Sequence, residues 1–195
     1  MARIETMAEL RRIYVAAKGR AVGKELRRLE KYSRRLIELS PFLIIGTMGA
    51  DGLADVSPRG EAPGFVQVLD DETVAIPDRP GNNRLDTLGN ILDNPAVALI
   101  FLIPGMDEVL RINGLAEIRD DDDLRQRFAV KDKLPATVLV VKIEQLYLHC
   151  PKAIMRAGLW DAATHIDRKT VPTLGQMIAD QINSAAPAEG QAEMV

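Results

Sequence analysis

Phe42-Leu43-Ile44-Ile45-Gly46-Thr47-Met48, then Gly49-Ala50-Asp51-Gly52, then Leu53-Ala54-Asp55-Val56-Ser57: this stretch decides the fold. Two β-rich runs around a Gly/Asp turn predict a hairpin. Moving outward along the chain, Phe65-Val66-Gln67-Val68-Leu69 and Thr73-Val74-Ala75-Ile76-Pro77 flank Asp70-Asp71-Glu72 and predict a second hairpin. Residues 96–103 are apolar without interruption, which predicts a central strand buried on both faces. Residues 108–117 and 137–150 predict further strands. A short helix is expected over 83–93, with Leu85, Leu88, Ile91 and Leu92 on one side. Another is expected over 120–129, with acidic residues at its positive N-terminal end. Six or more short antiparallel strands with close turns predict a barrel or sandwich, a mainly β chain of the α+β kind.

Upstream of the first hairpin the texture is helical. Leu26, Leu29, Tyr32, Leu36 and Ile37 recur at spacings of three and four and predict one apolar stripe. Gly19 and Gly23 are expected to break residues 3–39 into two helices, and Ser40-Pro41 to end them. At the far end, residues 173–184 predict a last helix with Leu174, Met177, Ile178 and Ile182 on its apolar side. The tail 184–195, rich in Ala, Glu, Gln and Pro, is expected to be mobile. Three regions result: a helical extension over 1–40, a β domain over 41–165, and a helix with tail over 166–195.

The chain of 195 residues carries 25 Lys and Arg against 28 Asp and Glu, a net charge of −3. This balance speaks against nucleic acid as a partner, which needs a basic footprint. The basic cluster Arg27, Arg28, Lys31, Arg34 and Arg35 reads as a solvated helix face. The single cysteine, Cys150, allows no internal disulfide and suits a reducing cytoplasm. No apolar run reaches the roughly 20 residues of a membrane span. The N-terminus lacks the apolar core of a secretory signal. The expectation is a soluble cytoplasmic protein with neither membrane nor nucleic-acid partners.

Three segments could carry chemistry. The first runs Asp78-Arg79-Pro80-Gly81-Asn82-Asn83-Arg84-Leu85-Asp86-Thr87, leaving a strand and entering a helix. Its guanidiniums, amides, glycine and helix-start N–H groups are the parts a phosphate monoester needs. An ordinary turn, with Gly81 left-handed and Asn83 as helix cap, uses the same residues. The second is Ser57-Pro58-Arg59-Gly60 at a strand end, where Arg59 points into a groove or into water. The third is His149-Cys150-Pro151-Lys152-Ala153-Ile154-Met155-Arg156-Ala157-Gly158-Leu159-Trp160. Neighbours on a strand face opposite ways and no second cysteine completes a zinc set, so Cys150 reads as a small buried hydrophobe. Lys152 and Arg156 share one helical face. No nucleophile elbow, Walker loop or dinucleotide glycine motif is present. The carboxylate run Asp120–Asp123 reads as a helix-capping patch. Any chemistry therefore belongs to a cofactor.

In this order the three segments resemble the pyridoxamine-5′-phosphate-oxidase-like FMN-binding proteins, and within them a bacterial subgroup with a helical N-terminal extension. The shared motifs are similar to D-x-S-P-R-G, R-x-G-N-x-R-x-D-T-x-x-N-I and H-C-x-K-A-x-x-R-x-x-L-W, matched by residues 55–60, 79–91 and 149–160. The resemblance covers roughly residues 35–165. It implies a split β-barrel and a homodimer with FMN sites at the subunit interface. Ser57, Pro58, Arg59 and Gly60 would lie along the isoalloxazine, and Ile76, Pro77 and Asp78 would continue that wall. Asn83 and Arg84 would hold the phosphate, with Asn82 and Arg79 nearby. Lys152, Arg156 and Trp160 would come from the other subunit. The implied function is an FMN-dependent oxidoreductase acting on a small molecule, or else a flavin-binding module for storage, sensing or regulation. The same barrel also serves F420 and haem. The arginine–histidine pair that the vitamin-B6 oxidases carry near the C-terminus has no counterpart, since only His165 and Arg168 follow Trp160 among the candidates.

Overall fold

The computed structural model describes residues 3–183. The tail 184–195, for which mobility is expected, lies outside the described residues. The chain divides into two compact units, Met1–Arg156 and Ala157–Val195.

The first unit is built on one seven-stranded antiparallel sheet. Its strands are β1 Phe42–Met48, β2 Ala54–Gly60, β3 Gln67–Val68, β4 Thr73–Asp78, β5 Ala96–Ile103, β6 Met106–Arg119 and β7 Thr137–His149. Their spatial order is β2-β1-β5-β6-β7-β4-β3. Both predicted hairpins are present, β1 with β2 and β3 with β4. The two ends of the order, β2 and the β3–β4 hairpin, share no ladder, so the curled sheet is an open, split barrel of mainly β structure. The interior is filled by Leu43, Ile45, Val74, Ile76, Leu99, Phe101, Leu110, Ile112, Leu139 and Val141, all buried. In the middle of β6 the register slips at Asn113–Gly114. Only glycine fits there, because a Cβ on Gly114 would sit 2.2 Å from the Lys142 carbonyl oxygen.

The central strand differs from expectation. Val97, Leu99 and Phe101 are buried, whereas Ala96 and Ala98 are exposed. The run is apolar on both faces, yet only one faces the core, as in antiparallel sheets with a single packed side.

Three helices precede the sheet where two were expected: α1 Met7–Ile13, α2 Arg20–Gly23 and α3 Lys31–Leu39. α3 ends where Ser40-Pro41 predicts, and the buried Ser40 hydroxyl donates to the carbonyls of Phe42 or Leu102 at 2.7 and 2.8 Å. The five-residue stripe is not one helix face. Leu26 forms a bridge with Leu146, Leu29 precedes α3, and Tyr32 is 61% exposed; Leu29, Leu36 and Ile37 alone enter the core. Tertiary pairing to β7 overrides helical periodicity at Leu26.

α4 Asp86–Asp93 packs near β1, and α5 Asp122–Gln126 covers a second small core around Ala75, Phe128 and Val138. α6 Lys152–Ala157 follows β7. In the second unit, α7 Leu174–Gln181 is capped by Thr173, whose hydroxyl accepts from the Gln176 amide. Its expected apolar side stays open: Leu174, Ile178 and Ile182 are exposed. Among the described residues, no helix is long and apolar enough to cross a membrane.

Candidate functional site

The split in the barrel is a cleft of about 720 Å³. Its position follows from strand periodicity. On β2, Asp55, Ser57 and Arg59 alternate with Ala54, Val56, Pro58 and Gly60. Ser57 lies opposite Ile45 and Arg59 opposite Leu43, both buried. Three polar side chains therefore occupy the inward face of a strand with nothing paired on its far side. The same parity on β4 carries Val74, Ile76 and Asp78 inward, and on β7 Thr137, Leu139 and Val141. The apolar members fill the core, and the polar ones sit at its mouth.

The cleft joins the first two sequence segments. Ser57, Pro58, Arg59 and Gly60 line it, together with Pro77, Asp78, Arg79, Asn82, Asn83 and Arg84. Ile76 does not. Its side chain is fully buried in the barrel core, because its position on β4 points inward below the mouth. Lys152 and Arg156 do not line the cleft of their own chain. They are exposed on α6, where the Arg156 Nε donates to the Lys152 carbonyl at 3.1 Å. Trp160 belongs to the second unit. Four cleft residues that the motifs passed over are Glu61, Phe65, Ala136 and Thr137. Sequence spacing could not flag them, since only the β4–β7 ladder brings Thr137 opposite Asp78.

Each cleft arginine meets a carboxylate. Arg59 donates from Nη1 to the Ser57 hydroxyl at 2.5 Å and from Nη2 to Asp78 at 3.5 Å. Both charged side chains are largely buried, 20% and 16% exposed. Burial pushes the Asp78 carboxyl above its ordinary range, and the Arg59 charge only partly offsets this. Arg79 grips Glu61 as a fork, Nε to Oε1 at 2.8 Å and Nη2 to Oε2 at 3.0 Å, and also donates to the Phe128 carbonyl at 2.8 Å. Arg84 is exposed and pairs with Asp86 at 2.8 Å. Its guanidinium is held charged chiefly by the hydrogen bond to Asp86.

The loop before α4 is bent rather than capped. Asn83 and Leu85 both adopt left-handed backbone, φ 58° and 60°. Leu85, not Asn83, occupies the cap position, and no side chain caps the helix start. A left-handed leucine is costly, roughly 1–2 kcal/mol, and such strain gathers at binding sites. One more feature stands out: the Thr137 hydroxyl is buried without a hydrogen-bond partner among the described residues.

The third segment corrects one expectation. Cys150 is exposed and free, because β7 ends at His149 and the chain turns outward there. His149 lies below its ordinary pKa, owing to burial and to the positive charges of Arg111 and Lys24. Among the described residues no cluster of His, Cys, Asp or Glu is arranged to hold a metal.

Comparison with known proteins agrees with this architecture. The crystal structure of HupZ from Group A Streptococcus superposes with a TM-score of 0.51 at 18% identity, over 62% of this chain and 93% of that one. A putative pyridoxamine 5′-phosphate oxidase from Lactobacillus delbrueckii gives 0.50 at 24% identity, over 64% and 98%. At these identities the likeness is one of fold. No curated protein matches the chain. The family model for pyridoxamine 5′-phosphate oxidase matches residues 29–150, a span that holds the whole sheet and the cleft. The chain belongs to the pyridoxamine 5′-phosphate oxidase family.

Proposed function

We propose that this protein binds FMN in the cleft between β2 and β4 and acts, as a homodimer, as an FMN-dependent oxidoreductase on a small molecule. One observation carries the reading: the fold brings residues 57–60 and 79–86, apart in sequence, onto the walls of one cleft. The donors there fit the cofactor. Arg84, the amides of Asn82 and Asn83 and the uncapped start of α4 suit a phosphate monoester. The wall along β2 suits a flat ring, and the unpartnered Thr137 hydroxyl suits a polar ring atom. The volume falls within the range of about 300–1,000 Å³ usual for cofactor sites.

FMN, when bound, supplies hydride and electron transfer. The chain's own residues bind and orient it. Arg59, largely buried, places positive charge beside the ring, whereas Arg79 is committed to Glu61 and holds the wall. No cleft residue serves as a free general base. Among the described residues the lining contains no His, Cys, Met or Tyr that could act as an axial ligand, which favours a flavin over haem.

The electrostatics favour a second copy. The lining carries three arginines, Arg59, Arg79 and Arg84, against four carboxylates, Asp55, Glu61, Asp78 and Asp86. A phosphate with close to two negative charges needs more positive charge than this. Lys152 and Arg156 of a second copy would supply it. The outer face of β2, β1 and β5 supports such pairing, since Val56, Met48 and Ala98 stand exposed on it. The lone, exposed Cys150 is compatible with a reducing cytoplasm.

The test is an absorbance spectrum of the purified protein, followed by turnover with NAD(P)H and oxygen or a quinone. Flavin bands at about 375 and 450 nm and steady turnover are expected. A colourless protein that does not bind added FMN would overturn the reading, and a Soret band would point to haem. Bound flavin with no turnover would leave a flavin-binding module.

A further inference from the structure

Three polar groups meet at the inner end of the cleft with bonding capacity left over. The Thr137 hydroxyl is buried and unpartnered. Asp78 lies opposite it in the β4–β7 ladder. Among the described residues the Asp78 carboxylate meets only Arg59, at the long distance of 3.5 Å, which leaves lone pairs open there. The Arg59 Nη2 is the third group. Buried polar atoms without partners are rare in native proteins, and each marks a water, an ion or a ligand atom. Here all three line the one cleft, with Asp78 and Thr137 paired in the β4–β7 ladder and Asp78 paired with Arg59. Arg59 donates, Asp78 accepts, and Thr137 can donate.

The array sits at a set distance from the anion end. Arg84 lies near Asp55, whose charge it feels, at the start of β2. Arg59 lies four residues further along the same strand. At about 3.3 Å per residue the strand positions of Asp55 and Arg59 are roughly 13 Å apart, and the Arg59 guanidinium turns back from there to Ser57. A phosphate at one end therefore leaves the far edge of a ring system at the other. A donor–acceptor–donor array matches an acceptor–donor–acceptor edge, that of an imide: a ring N–H between two carbonyls.

We propose that Asp78, Arg59 and Thr137 read the imide edge of the flavin's pyrimidine ring. Asp78 accepts the N3–H, and Arg59 and Thr137 donate to the carbonyls on either side. This rests on the FMN reading above and adds the orientation of the ring: imide edge inward against β4 and β7, phosphate outward against α4. These three are positioning residues that select an unsubstituted imide.

Methylating the ligand at N3 tests the proposal without disturbing the protein. Lumiflavin, 3-methyllumiflavin and FMN are titrated into the full-length protein, with binding read by quenching of flavin fluorescence. The expected result is that N3-methylation weakens lumiflavin binding at least about tenfold, as loss of one buried charge-assisted hydrogen bond does. Asp78→Ala is expected to bind both lumiflavins alike. Thr137→Val, a change of equal size, is expected to weaken lumiflavin severalfold, with folding checked by circular dichroism. If FMN and lumiflavin bind but N3-methylation changes nothing, the imide assignment is overturned and the FMN reading stands. If neither FMN nor lumiflavin binds, both fall together.

Discussion

Arg79 separates structure from ligand binding at this site. Its position in the loop motif suggests a place near the phosphate, yet its guanidinium is occupied. It makes two short bonds to Glu61, 2.8 and 3.0 Å, and a third to the Phe128 carbonyl at 2.8 Å. Both side chains are about a quarter exposed, which screens the pair and lowers its worth. Taking about 1 kcal/mol for each of the three bonds and discounting the Glu61 pair for screening, Arg79→Ala should cost roughly 2–3 kcal/mol. In a chain of this size that lowers Tm by about 4–12 °C. Thermal unfolding and an FMN titration well below Tm are run on the same samples. The expected outcome is a lower Tm with FMN affinity changed less than about threefold. A Tm within about 1 °C of wild type together with an FMN affinity down more than about tenfold would refute the argument and make Arg79 a phosphate ligand.

Other consequences follow from the same geometry. Arg84 must leave Asp86 to meet a phosphate, so Asp86→Asn should tighten FMN binding severalfold at low salt and less at high salt, while Arg84→Ala should weaken it by about 1.5–3 kcal/mol; equal affinities across the three proteins would remove Arg84 from the phosphate site. Val56, 71% exposed on the outer sheet face, offers a test of the dimer: Val56→Asp should give a monomer in sedimentation or size-exclusion measurements, with its folding free energy changed by about 0.5 kcal/mol or less. A dimer unchanged in the variant would place the interface elsewhere. The Asp78 carboxyl titrates above its ordinary range because of burial. Its ionised form is the better acceptor, so lumiflavin affinity should rise as pH climbs through that raised pKa and level off above it. The Asp78→Ala protein should show a flat profile over the same window; a parallel rise there would assign the titration to another group.

The hairpins, the order of strands and helices along the chain, and the two segments that line the cleft were legible in the sequence because they rest on local physics. Alternation writes a strand, a Gly/Asp turn closes a hairpin, and Ser40-Pro41 stops a helix. The loop of arginines and amides ahead of α4 was legible for the same reason. What failed were statements about which face meets what. Residues 96–103 carry apolar groups on both sides, and composition cannot say that one side is left uncovered. Leu26 fits a helical stripe, and its pairing with Leu146 from 120 residues away decides otherwise. Cys150 reads as buried by type and is exposed by place.

By itself, then, the sequence determined a mainly β chain with a loop suited to an anion, since these depend on neighbours along the backbone. Only the tertiary structure decided that Arg79 is spent on Glu61, that Ile76 belongs to the core, and that Thr137 joins Arg59 and Asp78 at the mouth of the barrel. Those outcomes turn on ladder register and on the missing ladder between β2 and the β3–β4 hairpin, and neither is encoded within one segment.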